Sequence, residues 1–234
     1  MSAPARSVES MTTTDFPRAV LFDHDGTLVD TEPLWELGKQ RLVAAHGGQW
    51  TEEDTQDTLG RPLAATVQRL AELGVPGTPE QVFRDLFGVL EEVLEQNPPT
   101  FIPGIRPLLD ELDRAGIPAA IVTNATSEVA RYTSGLAPDN LFRVIIGDEE
   151  VAQGVKAKPD PDAYLEAARR LGVNPEDCVV LEDSPSGAAA GVAAGITTVV
   201  VPGVQQVPEG PGVVHVREHA DVTLEFLRSL RPRP

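Results

Sequence analysis

Short β-rich runs alternate with longer amphipathic stretches along this chain. Ala19–Phe22, Ala119–Val122, Val144–Ile146, Val179–Leu181 and Thr197–Val201 are unbroken in apolar or β-branched residues, the pattern of strands covered on both faces. Between the later runs, "PDAYLEAARRLGV" and "PSGAAAGVAAGI" have the length and apolar spacing of helices. Strands joined by helical crossovers predict an α/β sandwich around a parallel central sheet.

Residues 32–100 break this rhythm, because they hold no strand-like run. "PLWELGKQRLVAAHGG" is amphipathic and ends at glycine, and "LAATVQRLAELGV" does likewise. "TPEQVFRDLFGVLEEVLEQNPP" opens on a Thr-Pro-Glu start and stops at prolines. Turn residues at Asn97-Pro98-Pro99 and Ile102-Pro103-Gly104 mark the exit. The expectation is a helical cap over 32–100, inserted into a core made of 1–31 and 101–234. The Pro/Gly-rich "PGVQQVPEGPG" reads as a loop before the last helix.

Polar clusters end three of the strands: Asp23 and Asp25 the first, Thr123 and Asn124 the second, Glu182 and Asp183 the fourth. In open parallel sheets the ligand crevice lies at the carboxyl ends of the strands, so these groups are expected on one rim. Four carboxylates gathered there repel one another unless a hard cation intervenes, and an all-oxygen donor set suits Mg2+. A helical calcium loop is excluded: its first ligand position falls on Leu21, and the acidic pair follows a strand rather than a helix.

Charge sharpens this picture. With 36 acidic and 19 basic residues the net charge is -17, which argues against nucleic acid and anionic membranes as partners. An anionic substrate therefore needs a local cation. Cys178 is the sole cysteine and sits in an apolar strand, which reads as a buried thiol in a reducing, cytoplasmic setting. The polar first sixteen residues lack the apolar segment of a signal peptide and read as a frayed tail.

In this order, "FDHDGTL", "IVTNA", "KPDPDAY" and "LEDSPSG" resemble the four motifs of the haloacid dehalogenase superfamily. The insert after the first motif resembles the cap of the β-phosphoglucomutase-like branch, and "DTEPLW" and "DTLGRP" look most like its small sugar-phosphate phosphatases. The resemblance implies a Rossmann-like three-layer sandwich with a helical cap, and a Mg2+-dependent phosphatase acting on small phosphorylated metabolites as a monomer or weak homodimer. Asp23 then matches the nucleophile that forms an aspartyl-phosphate, and Asp25 the general acid/base. Thr123 and Asn124 match the second motif, which binds the transferring phosphoryl group, and Lys158 matches the cation that neutralises its charge. Asp183 matches the direct metal ligand, with Glu182 beside it and Asp23 and the Asp25 carbonyl completing the set.

Other positions carry weaker expectations. Lys156 reads as a solvated charge, His24 as a packing variation at a spacer position, and Trp35 as cap core. Arg61 in "LGRP" could reach a substrate or simply be solvated. Asp25 argues against dehalogenase and phosphonatase chemistry, since neither keeps a second aspartate. A β-phosphoglucomutase is the runner-up, but its cap histidine falls at Trp35; phosphoglycolate phosphatase is a further alternative. A phospho-receiver or regulatory binding module is disfavoured by the chain length and the helical insert.

Overall fold

The computed structural model describes residues 16–58 and 63–230. Contacts divide them into two compact units: the residues up to Leu28 with those from Ile102 onward, and Val29–Phe101.

The first unit is built on a six-stranded parallel sheet ordered β3-β2-β1-β4-β5-β6. Its strands are β1 (Ala19–Phe22), β2 (Ala119–Val122), β3 (Phe142–Ile146), β4 (Cys178–Glu182), β5 (Thr197–Val200) and β6 (Val213–His215). Val20 of β1 pairs with Ala119 on one side and Val179 on the other. All residues of β1, β2, β4 and β5 are buried, which explains their apolar or β-branched character up to Glu182 at the end of β4. Strand β6 was not expected from the sequence. It has three residues, follows the Pro/Gly-rich loop and sits at the sheet edge, so it lacks the long apolar run of a central strand.

In the second unit four helices run in sequence: α1 (Glu32–Ala45), α2 (Glu52–Thr58), α3 (Leu63–Glu72) and α4 (Pro79–Gln96). Val29 and Phe101 form an isolated antiparallel bridge near its two chain ends. Helix α4 starts where the sequence says it should: Thr78 Oγ1 accepts from the Gln81 amide while Gln81 Oε1 accepts from the Thr78 amide, a reciprocal cap. Val82, Leu86, Leu90 and Val93 then place one buried stripe along it. Val82 and Leu86 pack with Leu42, Val43, Trp50, Val67 and Leu70, each fully buried aliphatic side chain contributing about 1.5–3 kcal/mol. Trp35 stacks edge-on against Phe87 at 5.3 Å, as a cap-core residue does.

Returning to the first unit, α5 (Ile105–Ala115) and α6 (Ser127–Ser134) carry the chain through β2 to β3, and α7 (Asp148–Ala152) and α8 (Asp162–Leu171) carry it back to β4. After α9 (Pro185–Ala193) and the last strands, α10 (Leu224–Ser229) ends the fold and packs on α5. Helices α8 and α9 bury Tyr164, Ala167, Ala168 and Ala190 against Leu21, Val122 and Val180 of the sheet. Right-handed crossovers put α5 and α6 on the opposite face, completing three layers. Among the described residues no helix is long and apolar enough to cross a membrane.

Candidate active site

Each chemical group lies one residue beyond the apolar part of a strand, and backbone bonds hold it there. The Asp23 amide donates to the Leu181 carbonyl at 2.9 Å and the Thr123 amide to the Ile146 carbonyl at 2.9 Å, so the ladder continues past the strand ends. Because β2, β1 and β4 are parallel neighbours, Thr123, Asp23 and Glu182 emerge side by side.

Lys158 joins them from the β3-to-β4 connection. Its buried ammonium donates to Asp23 Oδ1 at 2.5 Å, to Glu182 Oε1 at 2.7 Å and to the Val122 carbonyl at 2.9 Å. Three acceptors saturate its three protons. The Asn124 side chain clasps the backbone of the same residue, Oδ1 accepting from the Lys158 amide and Nδ2 donating to the Lys158 carbonyl, both at 3.0 Å. Asn124 thus fixes the lysine with its side chain. Burial alone would push the Lys158 ammonium down, but Asp23 and Glu182 hold it above its ordinary value.

Glu182 is fully buried and fully engaged. Oε1 accepts from Lys158 and, at 2.7 Å, from the Tyr164 hydroxyl. Oε2 accepts from the Asp183 and Ser184 amides at 3.2 Å and from Ser184 Oγ at 3.0 Å. A Cβ at Gly187 would run into this carboxylate, so only glycine fits there. Sequence reasoning missed Tyr164. The available signal was a tyrosine on the otherwise alanine-rich buried face of α8, whose hydroxyl needs a partner when buried.

Asp23, Glu182 and Asp183 offer oxygens that all lie within 4.8 Å of one another. Asp183 packs against Gly26, whose φ of 85° and missing Cβ let the carboxylate approach, and it accepts from Thr27 Oγ1 at 3.4 Å. Burial, then Glu182, pushes the Asp183 carboxyl up to about 6, and burial and Glu182 also push Asp23 up. Crowded, desolvated carboxyls with only hard oxygen donors fit a divalent cation, which would relieve their repulsion.

Asp25 directs its carboxylate elsewhere. Its Oδ2 lies 3.1 Å from His24 Nδ1, and the buried His24 ring reaches Thr133 Oγ1 through Nε2 at 2.7 Å. Thr123 is buried, with Oγ1 accepting from the Ala125 amide at 2.9 Å, which leaves its proton to donate. Lys156 is at the surface, 3.2 Å from Asp160. Cys178 is buried and its thiol is pushed up to about 12, which makes it unreactive. Arg61 and the N-terminal tail lie outside the described residues.

The chain matches the haloacid dehalogenase-like hydrolase family over residues 20–201. It is 36% identical to hexitol phosphatase A of Escherichia coli, covering 88% of this chain and 94% of that protein. It is 31% identical to a phosphorylated carbohydrates phosphatase of Thermotoga maritima, covering 88% and 90%. The crystal structure of CbbY from Rhodobacter sphaeroides in complex with phosphate superposes with a TM-score of 0.74 at 29% identity, over 90% of this chain and 98% of that one. A Rossmann-like core with a helical cap, carrying an Asp23–Lys158–Glu182 cluster at the ends of its parallel strands, belongs to the haloacid dehalogenase-like hydrolase family.

Proposed function

We propose that the chain is a Mg2+-dependent phosphatase of small sugar or polyol phosphates, working through an aspartyl-phosphate on Asp23. That it is a phosphoric monoester hydrolase follows from its family and relatives. The observation that carries the residue assignment is the 2.5 Å pairing of Lys158 with Asp23. A buried ammonium beside a carboxylate neutralises the charge that an incoming phosphoryl group brings to it.

Hydrolases of this family generally work with a divalent cation, and the acidic cluster supplies its oxygens. Asp23, Asp183 and the Asp25 carbonyl would hold Mg2+, which when bound screens the phosphoryl oxygens and lowers the pKa of nearby acids. Glu182, its oxygens taken by five donors, is assigned to anchoring Lys158 and supporting Asp183.

Asp23 attacks phosphorus, forming the new P–O bond as the bond to the alcohol oxygen breaks. Asp25 gives its proton to the departing oxygen. It then takes a proton from water, whose oxygen attacks the aspartyl-phosphate and releases inorganic phosphate and the Asp23 carboxylate. The Thr123 hydroxyl and the Asn124 backbone amide are assigned to the phosphoryl oxygens, while Lys158 pairs with Asp23 and opposes the burial and the Glu182 charge that disfavour its ionised form.

Selection of the alcohol is assigned to the helical unit, with Arg61 as the candidate cation. The relatives named for hexitol and carbohydrate phosphates favour that class over phosphoglycolate. Mutase chemistry is disfavoured because Trp35, where that family keeps its cap histidine, has its ring stacked on Phe87 and offers no imidazole. The test is release of inorganic phosphate from a panel of phosphate monoesters with Mg2+, abolished by EDTA.

A further inference from the structure

His24 lies between the two proposed catalytic aspartates and is fully buried. An apolar side chain would fill that space; an imidazole brings two polar atoms that each need a partner. One partner is clear. Thr133 Oγ1 lies 2.7 Å from Nε2, much nearer than its 3.3 Å to the Val129 carbonyl within α6, so the hydroxyl donates to Nε2 and the ring proton sits on Nδ1. Thr133 is itself completely buried and fixed on the helix, which locks the imidazole plane.

The other nitrogen, Nδ1, is buried without a formed hydrogen bond among the described residues. Asp25 Oδ2 stands 3.1 Å from it, close enough in distance but off the line a hydrogen bond requires. Asp25 is 36% exposed, whereas the His24 ring is fully buried and held by Thr133. A small rotation of the carboxyl would satisfy Nδ1 and turn the second oxygen away from the ring.

We propose that His24 is a positioning residue that orients the Asp25 carboxyl for proton delivery to the departing alcohol, with Thr133 as its anchor. The inference rests on the phosphatase reading, in which Asp25 is the acid. The Nδ1–H donates to Oδ2 and holds that carboxyl oxygen, leaving Oδ1 to carry the proton that passes to the leaving group. His24 touches neither substrate nor phosphorus in this scheme. Its effect must therefore scale with how much the leaving group needs a proton.

The experiment compares kcat/KM for a hexitol phosphate, a poor leaving group, with that for p-nitrophenyl phosphate, which departs without protonation. His24→Gln keeps an amide near Nε2 and the Thr133 bond but removes Nδ1; His24→Asn places an amide where Nδ1 was. Gln is expected to lower the hexitol phosphate value at least about ten-fold more than the aryl value, and Asn to recover most of that selective loss. Thr133→Val, remote from the reacting atoms, should show the same selective signature at smaller size, and inhibition by inorganic phosphate should be unchanged in all three. Equal losses on both esters, or indistinguishable Gln and Asn variants, overturn the positioning role. If the wild-type protein hydrolyses neither ester, the phosphatase reading itself fails, which the wild-type measurement alone reveals.

Discussion

Tyr164 donates its hydroxyl to Glu182 Oε1 at 2.7 Å, the same oxygen that takes the Lys158 ammonium at 2.7 Å. Two donors on one carboxylate oxygen leave it little basicity for a cation, which supports the proposal that Glu182 acts through Lys158. Glu182→Gln should lower kcat/KM by about 100-fold through a misplaced lysine, an effect of the size of losing one charge-stabilising group. Its Mg2+ affinity by calorimetry should stay within a few-fold of wild type. Loss of Mg2+ binding with the lysine's role intact would instead make Glu182 a ligand. Tyr164→Phe should cost about 1 kcal/mol of stability, read as a lower urea midpoint.

Asp183 should behave in the opposite way. Asp183→Asn is expected to weaken Mg2+ binding strongly, so that activity returns only at high metal concentration. Calorimetric binding equal to wild type would remove it from the metal shell.

The same carboxyl gives a pH signature in protein stripped with EDTA. Its folded value of about 6 lies above the ordinary carboxylate range, so the protonated form is the one the fold prefers. The stability it contributes is present at low pH and is lost as pH rises from the ordinary carboxylate value through about 6. Between pH 5 and pH 7 the metal-free wild type should therefore lose more Tm than Asp183→Asn, and added Mg2+ should restore more at the upper pH. Parallel Tm profiles for the two proteins would contradict the assignment.

Substrate selection tests the helical unit separately. Hexose or hexitol phosphates should give higher kcat/KM than phosphoglycolate or nucleotides, and Arg61→Ala should reduce this preference more than it reduces p-nitrophenyl phosphate hydrolysis. An equal effect on every substrate would leave Arg61 as a solvated charge.

The central strands were legible because β1 and β2 are short and buried on both faces, which leaves no polar interruption in their sequence. Strand β6 was not, since three edge residues after a Pro-rich loop carry too little pattern. The rim residues could be placed by topology alone: Asp23, Thr123 and Glu182 end neighbouring parallel strands. What the sequence could not disclose was the division of labour among them. Asn124 clasping the Lys158 backbone, Tyr164 capping Glu182 and His24 linking Thr133 to the vicinity of Asp25 are contacts between residues far apart in the chain. Periodicity carries no trace of such pairings, so His24 read as a packing variation.

The covalent intermediate on Asp23 is the central claim, and trapping it is the most direct test. Asp25→Asn should still transfer a phosphoryl group from p-nitrophenyl phosphate, because that leaving group needs no proton, yet should hydrolyse the product slowly for want of a base. Acid-quenched protein, digested and analysed by mass spectrometry, is expected to carry one phosphoryl group on the peptide containing Asp23, with a matching burst of p-nitrophenol. Asp23→Asn should show neither. A burst without label at Asp23, or steady turnover by Asp23→Asn, would contradict nucleophilic attack by this residue.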